Sequence, residues 1–174
     1  MKFVCLMGRR NSGKSSVEKV LEKIGFKRSI SYSTRNKINN EQNEKEYNIV
    51  DKESFMKLVE RGHIIEYEEY NGNLYGTPRP YGSTKFVATV CLKGFRALKS
   101  IYGKQVIGVY LKCDEDIALS REEDIREDEF IKINNLYKET LQQMEEEADI
   151  VINSNQNINM VIADILRVLR DLKV

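Results

Sequence analysis

Gly8-Arg9-Arg10-Asn11-Ser12-Gly13-Lys14-Ser15-Ser16 reads G-x-x-x-x-G-K-S, and the rest of the chain is understood from this stretch outward. In front of it, Lys2-Phe3-Val4-Cys5-Leu6-Met7 is short and mostly apolar, the pattern of a buried strand. Behind it, Val17, Val20, Leu21 and Ile24 recur at helical spacing, and Gly25 supplies a stop signal. Strand, glycine loop and helix together are the setting of a phosphate-binding loop. Glycine lets successive N–H groups turn inward on an anion, and the helix N-terminus behind them adds free donors and a favourable dipole. In such a loop Lys14 reaches the β- and γ-phosphates and the Ser15 hydroxyl holds Mg²⁺.

The 174 residues suit a single domain with a good core. Twenty-eight Lys and Arg against 27 Asp and Glu leave no electrostatic reason to expect nucleic acid or a membrane as partner. Cys5 and Cys91 lie in apolar, strand-like runs and Cys113 just after one, which fits free thiols in a reducing compartment. No secretory signal pattern precedes the first strand and no apolar run approaches the length of a membrane span, so the expected location is the cytoplasm. His63, the only histidine, lacks metal-ligand spacing and is expected at the surface.

Further along, Ser29-Ile30-Ser31-Tyr32 reads as a short strand, residues 36 to 46 as an exposed polar loop, and Tyr47, Ile49 and Val50 as another strand. Asp51 is placed to cap a helix whose apolar face carries Phe55, Leu58 and Val59 and which Gly62 ends. Asn71-Gly72 between Ile64–Tyr70 and Asn73–Tyr75 is a two-residue hairpin signal. Buried-strand language returns at Lys85 to Cys91 and at Val106 to Leu111, with a helix carrying Phe95, Leu98 and Ile101 between them. Residues 114 to 130 are heavily charged, and 129 to 147 read as a long helix carrying Ile133, Leu136, Tyr137, Leu141 and Met144. A last strand at Asp149 to Asn153 precedes a helix with Ile158, Val161, Ile162, Ile165, Leu166 and Leu169 on one face. Strands alternating with helices imply an α/β fold with a parallel sheet covered on both faces. The segment from about 31 to 76 is inserted after the first crossover, positioned to hold a second ligand opposite the loop.

That insert resembles the nucleotide-binding region of guanylate kinases. Ser31-Tyr32-Ser33-Thr34-Arg35, with Glu41 and Tyr47 at their spacing, matches the start of the family's run, and Ile65-Glu66-Tyr67 precedes Gly72-Asn73-Leu74-Tyr75-Gly76-Thr77. With the phosphate loop, the closing strand and Asn153, the resemblance covers nearly the whole chain. It implies a P-loop NTPase-type five-stranded parallel sheet with helices on both faces, a small mixed-β acceptor-nucleotide insert and a charged lid. The expected parts are a core at 1–30, 83–115 and 136–174, the insert at 31–82 and the lid at 116–135. The implied reaction moves the γ-phosphoryl group of ATP to GMP or dGMP with Mg²⁺, in a monomer or homodimer. ATP is expected on Gly8 to Ser16 and Asn153. Ser31, Arg35, Tyr47 and Tyr75 are expected on the acceptor phosphate, and Glu66, Gly76 and Thr77 at guanine. Adenine lacks guanine's N1–H and N2–H₂ donors and would leave the Glu66 carboxylate unpaired. Lys14, Arg35, Arg121 and Arg126 are the expected catalytic charges.

Bland readings stand beside these. Glu66 belongs to an acidic string with Glu68 and Glu69, and Arg121 and Arg126 can pair with Glu122, Glu123, Asp124, Glu127 and Asp128. Tyr67, Tyr70 and Tyr75 can stack on bases or simply pack a hairpin. The sequence also departs from the family. Ile38, beside Lys37, stands where a second arginine is usual, Thr89 and Cys91 replace an acidic pair, and Asn134 or Asn135 replaces a further arginine. The segment after Thr77 is short and carries Pro78 and Pro80, so a family helix is expected to be missing. These losses keep two rivals open: a kinase of another nucleoside monophosphate, and a non-catalytic module that binds phosphorylated peptides.

Overall fold

The computed structural model describes residues 1–36, 47–82, 85–122 and 126–174, and places the phosphate loop between β1 (Lys2–Met7) and α1 (Lys14–Lys23). The chain continues through β2 (Lys27–Arg28), β3 (Tyr32–Ser33), β4 (Asn48–Ile49), α2 (Lys52–Glu60), β5 (Ile64–Tyr70), β6 (Asn73–Pro78) and β7 (Lys85–Thr89). It ends with α3 (Leu92–Tyr102), β8 (Val106–Lys112), α4 (Glu115–Ser120), α5 (Glu127–Glu147), β9 (Ile150–Asn153) and α6 (Ile158–Asp171).

The core sheet has five strands in the order β2-β7-β1-β8-β9, every neighbouring pair parallel. Alternation along β1 explains why both faces are covered. Val4 and Leu6 point to the side where α1 and α6 deliver Val17, Leu21, Val161, Ile165 and Leu169. Phe3, Cys5 and Met7 point to the other, where α3 and α5 deliver Phe95, Leu98 and Met144. A second, mixed sheet in the order β4-β3-β6-β5 packs Ile64 and Leu74 against Phe55 of α2. The hairpin turns at Asn71 and Gly72, both at positive φ, as a tight two-residue turn requires. Asp51 caps α2 by accepting from the Ser54 N–H at 2.8 Å.

Some expectations need correction. Ser29 to Tyr32 is not one strand. Lys27–Arg28 joins the edge of the core sheet beside β7, Tyr32–Ser33 joins the second sheet, and the residues between cross from one to the other. Leu136 and Ile101, expected on apolar helix faces, are exposed. The charged stretch after β8 contains an unexpected helix, α4, whose Ala118 packs with Cys113 and Phe130 of α5. Among the described residues, 79–82 holds no helix. Lys37, Ile38, Glu41, Glu123 and Asp124 lie outside the described residues.

Candidate active site

The site gathers at the C-terminal ends of the core strands, where a parallel sheet leaves its crevice. Leaving β1, the backbone takes positive φ at Gly8, Asn11 and Gly13, which curls the loop over the start of α1. At Gly8 a Cβ would meet the Leu111 carbonyl at 2.7 Å and Ser12 Oγ at 2.9 Å, so the loop lies against β8 closely enough to exclude any side chain. Lys14 Nζ donates to the carbonyls of Gly8 at 2.9 Å and Arg9 at 2.6 Å. Burial lowers this ammonium to about 8 from an ordinary 10.5. Ser12 is fully buried, and the Ser154 hydroxyl donates to its carbonyl.

A cleft of about 480 Å³ opens on this loop, lined among others by Gly13, Lys14, Ser15, Ser16, Arg121 and Ser154. Arg121 donates to the carbonyls of Asn11 at 3.2 Å and Ser154 at 3.0 Å, joining the end of α4 to the phosphate loop and to the segment after β9. Arg10 and Asn11 both reach Glu122, at 2.6 Å and 2.8 Å. Arg9 meets Glu115 at 3.4 Å, while its Nε is buried without a hydrogen bond among the described residues. Arg126 is not brought to the cleft; its side chain is 82% exposed and pairs with Asp128 at 3.3 Å. Asn153 does not line the cleft either, because its side chain turns back to accept from the Asn155 N–H. The neighbouring Ser154, Gln156 and Asn157 line it instead, which the sequence reading missed.

A second pocket, about 370 Å³, lies between the inserted sheet and the core. Ser31, Tyr47, Glu66, Tyr75, Gly76 and Thr77, all singled out from sequence, line it together with Gly8 of the phosphate loop. The Arg35 guanidinium lies 5.0 Å over the Tyr47 ring, and Tyr47 packs edge-on against Tyr75 at 5.6 Å. Thr89 and Cys91 line the core side of the same pocket.

Glu66 is the pocket's unusual group. Its side chain is only 8% exposed. Oε1 accepts from the Thr77 hydroxyl at 2.9 Å, and the Cys91 thiol approaches the same oxygen at 4.0 Å. Among the described residues, Oε2 is buried with no hydrogen-bond partner, the Lys93 ammonium standing 3.9 Å away. Burial pushes this carboxyl above its ordinary range, the Thr77 hydrogen bond and the Lys93 charge opposing it. The first turn of α3 forms the floor. Cys91 Sγ caps that helix by accepting from the Gly94 N–H at 3.3 Å, and a Cβ on Gly94 would sit 2.6 Å from Thr77 Oγ1. A buried carboxylate oxygen left unsatisfied beside an open pocket is costly unless something donates to it.

Another buried carboxylate ties α1 to the core side of the pocket. Glu18 of α1 accepts from Arg28 at 3.0 Å and 3.1 Å and from the Thr89 N–H at 2.7 Å. Sequence reading missed it, since a charge on the inner face of a helix looks like a break in the apolar pattern.

Residues 1–172 match the profile of the family described as "Guanylate kinase". A guanylate kinase from Thermotoga maritima is 30% identical over 165 residues, which cover 86% of this chain and 78% of that protein. One from Enterococcus faecalis is 37% identical over 82 residues, and the human protein is 40% identical over 79. The match spans 40% of the length of each of these two relatives and 45% and 44% of this chain. The crystal structure of guanylate kinase from Anaplasma phagocytophilum shares the fold with a TM-score of 0.70 at 22% identity, covering 98% of this chain and 85% of that one.

Proposed function

The chain belongs to the guanylate kinase family, and on that premise we propose that it transfers the γ-phosphoryl group of ATP to GMP or dGMP, giving ADP and GDP or dGDP. The observation that carries the guanine assignment is Glu66, which lines a pocket of nucleotide size and, among the described residues, keeps its Oε2 buried without a hydrogen bond. A guanine edge offers N–H donors to it, and an adenine edge offers no such pair.

Phosphoryl transfer asks the protein for alignment and charge neutralisation rather than covalent chemistry. Backbone N–H groups of the loop between Gly8 and Ser15, apart from that of Ser12, which donates to the Arg9 carbonyl, and the N-terminus of α1 would hold the polyphosphate. Lys14 would exchange its two carbonyl contacts for phosphate oxygens, a step favoured because its buried charge then gains an anionic partner. Arg121 would bring a guanidinium to the same cleft from the end of α4. Ser31, Tyr47 and Tyr75 would donate to the acceptor phosphate, with Arg35 beside them. Mg²⁺ suits the donor set: it takes one or two protein oxygens and completes its shell from phosphates and water, and the Ser15 hydroxyl at the cleft is such an oxygen. When bound, the ion supplies neutralisation of charge on the phosphate oxygens.

A coupled assay of ADP release across GMP, dGMP, AMP, UMP and dTMP tests the reading. Turnover confined to the guanine nucleotides is expected. Preference for any other base refutes the role of Glu66, and ATP binding that survives Lys14→Ala refutes the donor site.

A further inference from the structure

Glu18 lines neither cleft, yet its carboxylate holds three hydrogen bonds in the interior. It lies on α1 one helical turn beyond Lys14, with 6% of the residue exposed. Oε2 accepts from Nε and Nη2 of Arg28, the last residue of β2, at 3.1 Å and 3.0 Å. Oε1 accepts from the N–H of Thr89, the last residue of β7, at 2.7 Å.

Each of the three elements joined in this way leads into a cleft. The first turn of α1 gives Lys14, Ser15 and Ser16 to the donor cleft. The crossing that follows Arg28 gives Ser31 to the acceptor pocket, and the end of β7 gives it Thr89. That crossing is short and tied at both ends. The Ser29 N–H donates to the Val87 carbonyl of β7 at 2.8 Å, and Asn48 donates to the carbonyls of Ile30 and Ser31, each at 2.8 Å. One carboxylate therefore fixes the helix under the donor, the root of the insert and the core wall of the acceptor pocket against one another. Stability alone is a poor reason for such a group, because a buried ion pair commonly gains little over apolar side chains of the same volume. What it adds is direction, since a guanidinium fork and an N–H each meet the carboxylate along a set line. Transfer depends on direction, and a misplacement of about 1 Å can cost about a hundredfold in rate. We propose that Glu18 is a positioning residue for phosphoryl transfer, holding the acceptor pocket in line with the donor cleft through Arg28 and Thr89. Because it lines neither cleft, its effect falls on alignment and not on the binding of either nucleotide.

This inference rests on the transfer reading above, and the experiment separates the two. Dissociation constants of ATP and of GMP are measured by titration calorimetry on wild type, Glu18→Gln and Glu18→Ala. The rate constant of a single turnover is then read by rapid quench, with protein in excess over labelled ATP and GMP saturating. That constant does not depend on what fraction of the protein is folded. Glu18→Ala is expected to lower it about tenfold or more while each dissociation constant stays within about threefold of wild type. Glu18→Gln keeps an oxygen for the Thr89 N–H but loses the charge facing Arg28, and is expected to fall between. A purely structural role would reduce the amount of competent protein and leave the single-turnover constant at its wild-type value, which overturns the proposal. A loss confined to the dissociation constants overturns it as well. Should Glu18→Ala yield no folded protein, Glu18→Gln decides alone, and a wild-type constant in that variant overturns the role. Wild-type protein that binds the nucleotides without turning them over overturns the transfer reading and this inference with it.

Discussion

The substitution Glu66→Gln is expected to make the free protein more stable and a worse binder. The wild-type carboxyl is raised by burial, so its ionised form opposes folding. Its contribution to stability is favourable below the unfolded carboxylate range and is lost as pH rises through the higher folded value. The substituted side chain would keep the Thr77 contact through its amide oxygen without the buried charge, so the variant should gain at neutral pH and the gain should vanish in acid. The amide NH₂ stays buried without an acceptor, so the gain is limited to the difference between burying a charge and burying an amide. With Lys93 offsetting part of that difference, about 1 kcal/mol is expected, or a rise in Tm of roughly 2–4 °C for a domain of this size. Acceptor binding moves the other way. Oε2 becomes an NH₂ group that faces the donors of guanine, and losing one charge-assisted hydrogen bond costs about 1.5–3 kcal/mol, roughly a 10- to 100-fold weaker GMP complex. Thermal unfolding at pH 7 and pH 4, paired with GMP titration, reads both arms. A variant that is destabilised at pH 7 and binds GMP normally would show that Glu66 is a structural carboxylate, and the reasoning would fall.

Two more outcomes follow from other buried charges. Lys14 has a folded value of about 8 against an ordinary 10.5, so its charged form opposes folding and stability should climb as pH rises between those values. ATP binding near pH 8.5 should then take up a proton, seen as binding heats that differ between buffers of different ionisation enthalpy; identical heats would contradict a buried, partly neutral lysine. Glu18→Ala removes the partner of Arg28 and the acceptor of the Thr89 N–H, and should cost about 3–5 kcal/mol in urea unfolding. A loss below about 1 kcal/mol would mean that water replaces the carboxylate there.

What the sequence disclosed was local. The loop from Gly8 to Ser16, the Asp51 cap and the Asn71-Gly72 turn are each specified by neighbours a few residues apart, and each forms as read. Core strands β1, β7 and β8 were legible because both faces are buried and the residues run apolar without interruption. Lys27–Arg28 was not, because a two-residue polar edge carries no periodicity and owes its place to β7 beside it. That Ser31, Tyr47, Glu66 and Thr77 share one pocket was foreseen through family resemblance rather than pattern. Tyr137 shows the limit of helical spacing, which places it on a face of α5 but cannot say that the face meets β5 of the insert. Asn153 and Ser154 differ by one residue at a strand end, where the direction of each side chain depends on a turn that spacing does not determine.

Cys91 holds down the first turn of α3 with the same sulfur that approaches the Glu66 carboxylate, and Gly94 leaves no room for even a methyl group beneath Thr77. If Glu66 reads the base as proposed, choice of nucleobase and anchoring of a core helix are coupled through one side chain. A change at position 91 that does not itself cap gives up about 0.5–2 kcal/mol at the start of α3. Attempts to retrain this pocket in the laboratory should therefore vary residues 91 to 94 as a block, so that a change at the pocket wall can be matched by one that keeps the start of the helix.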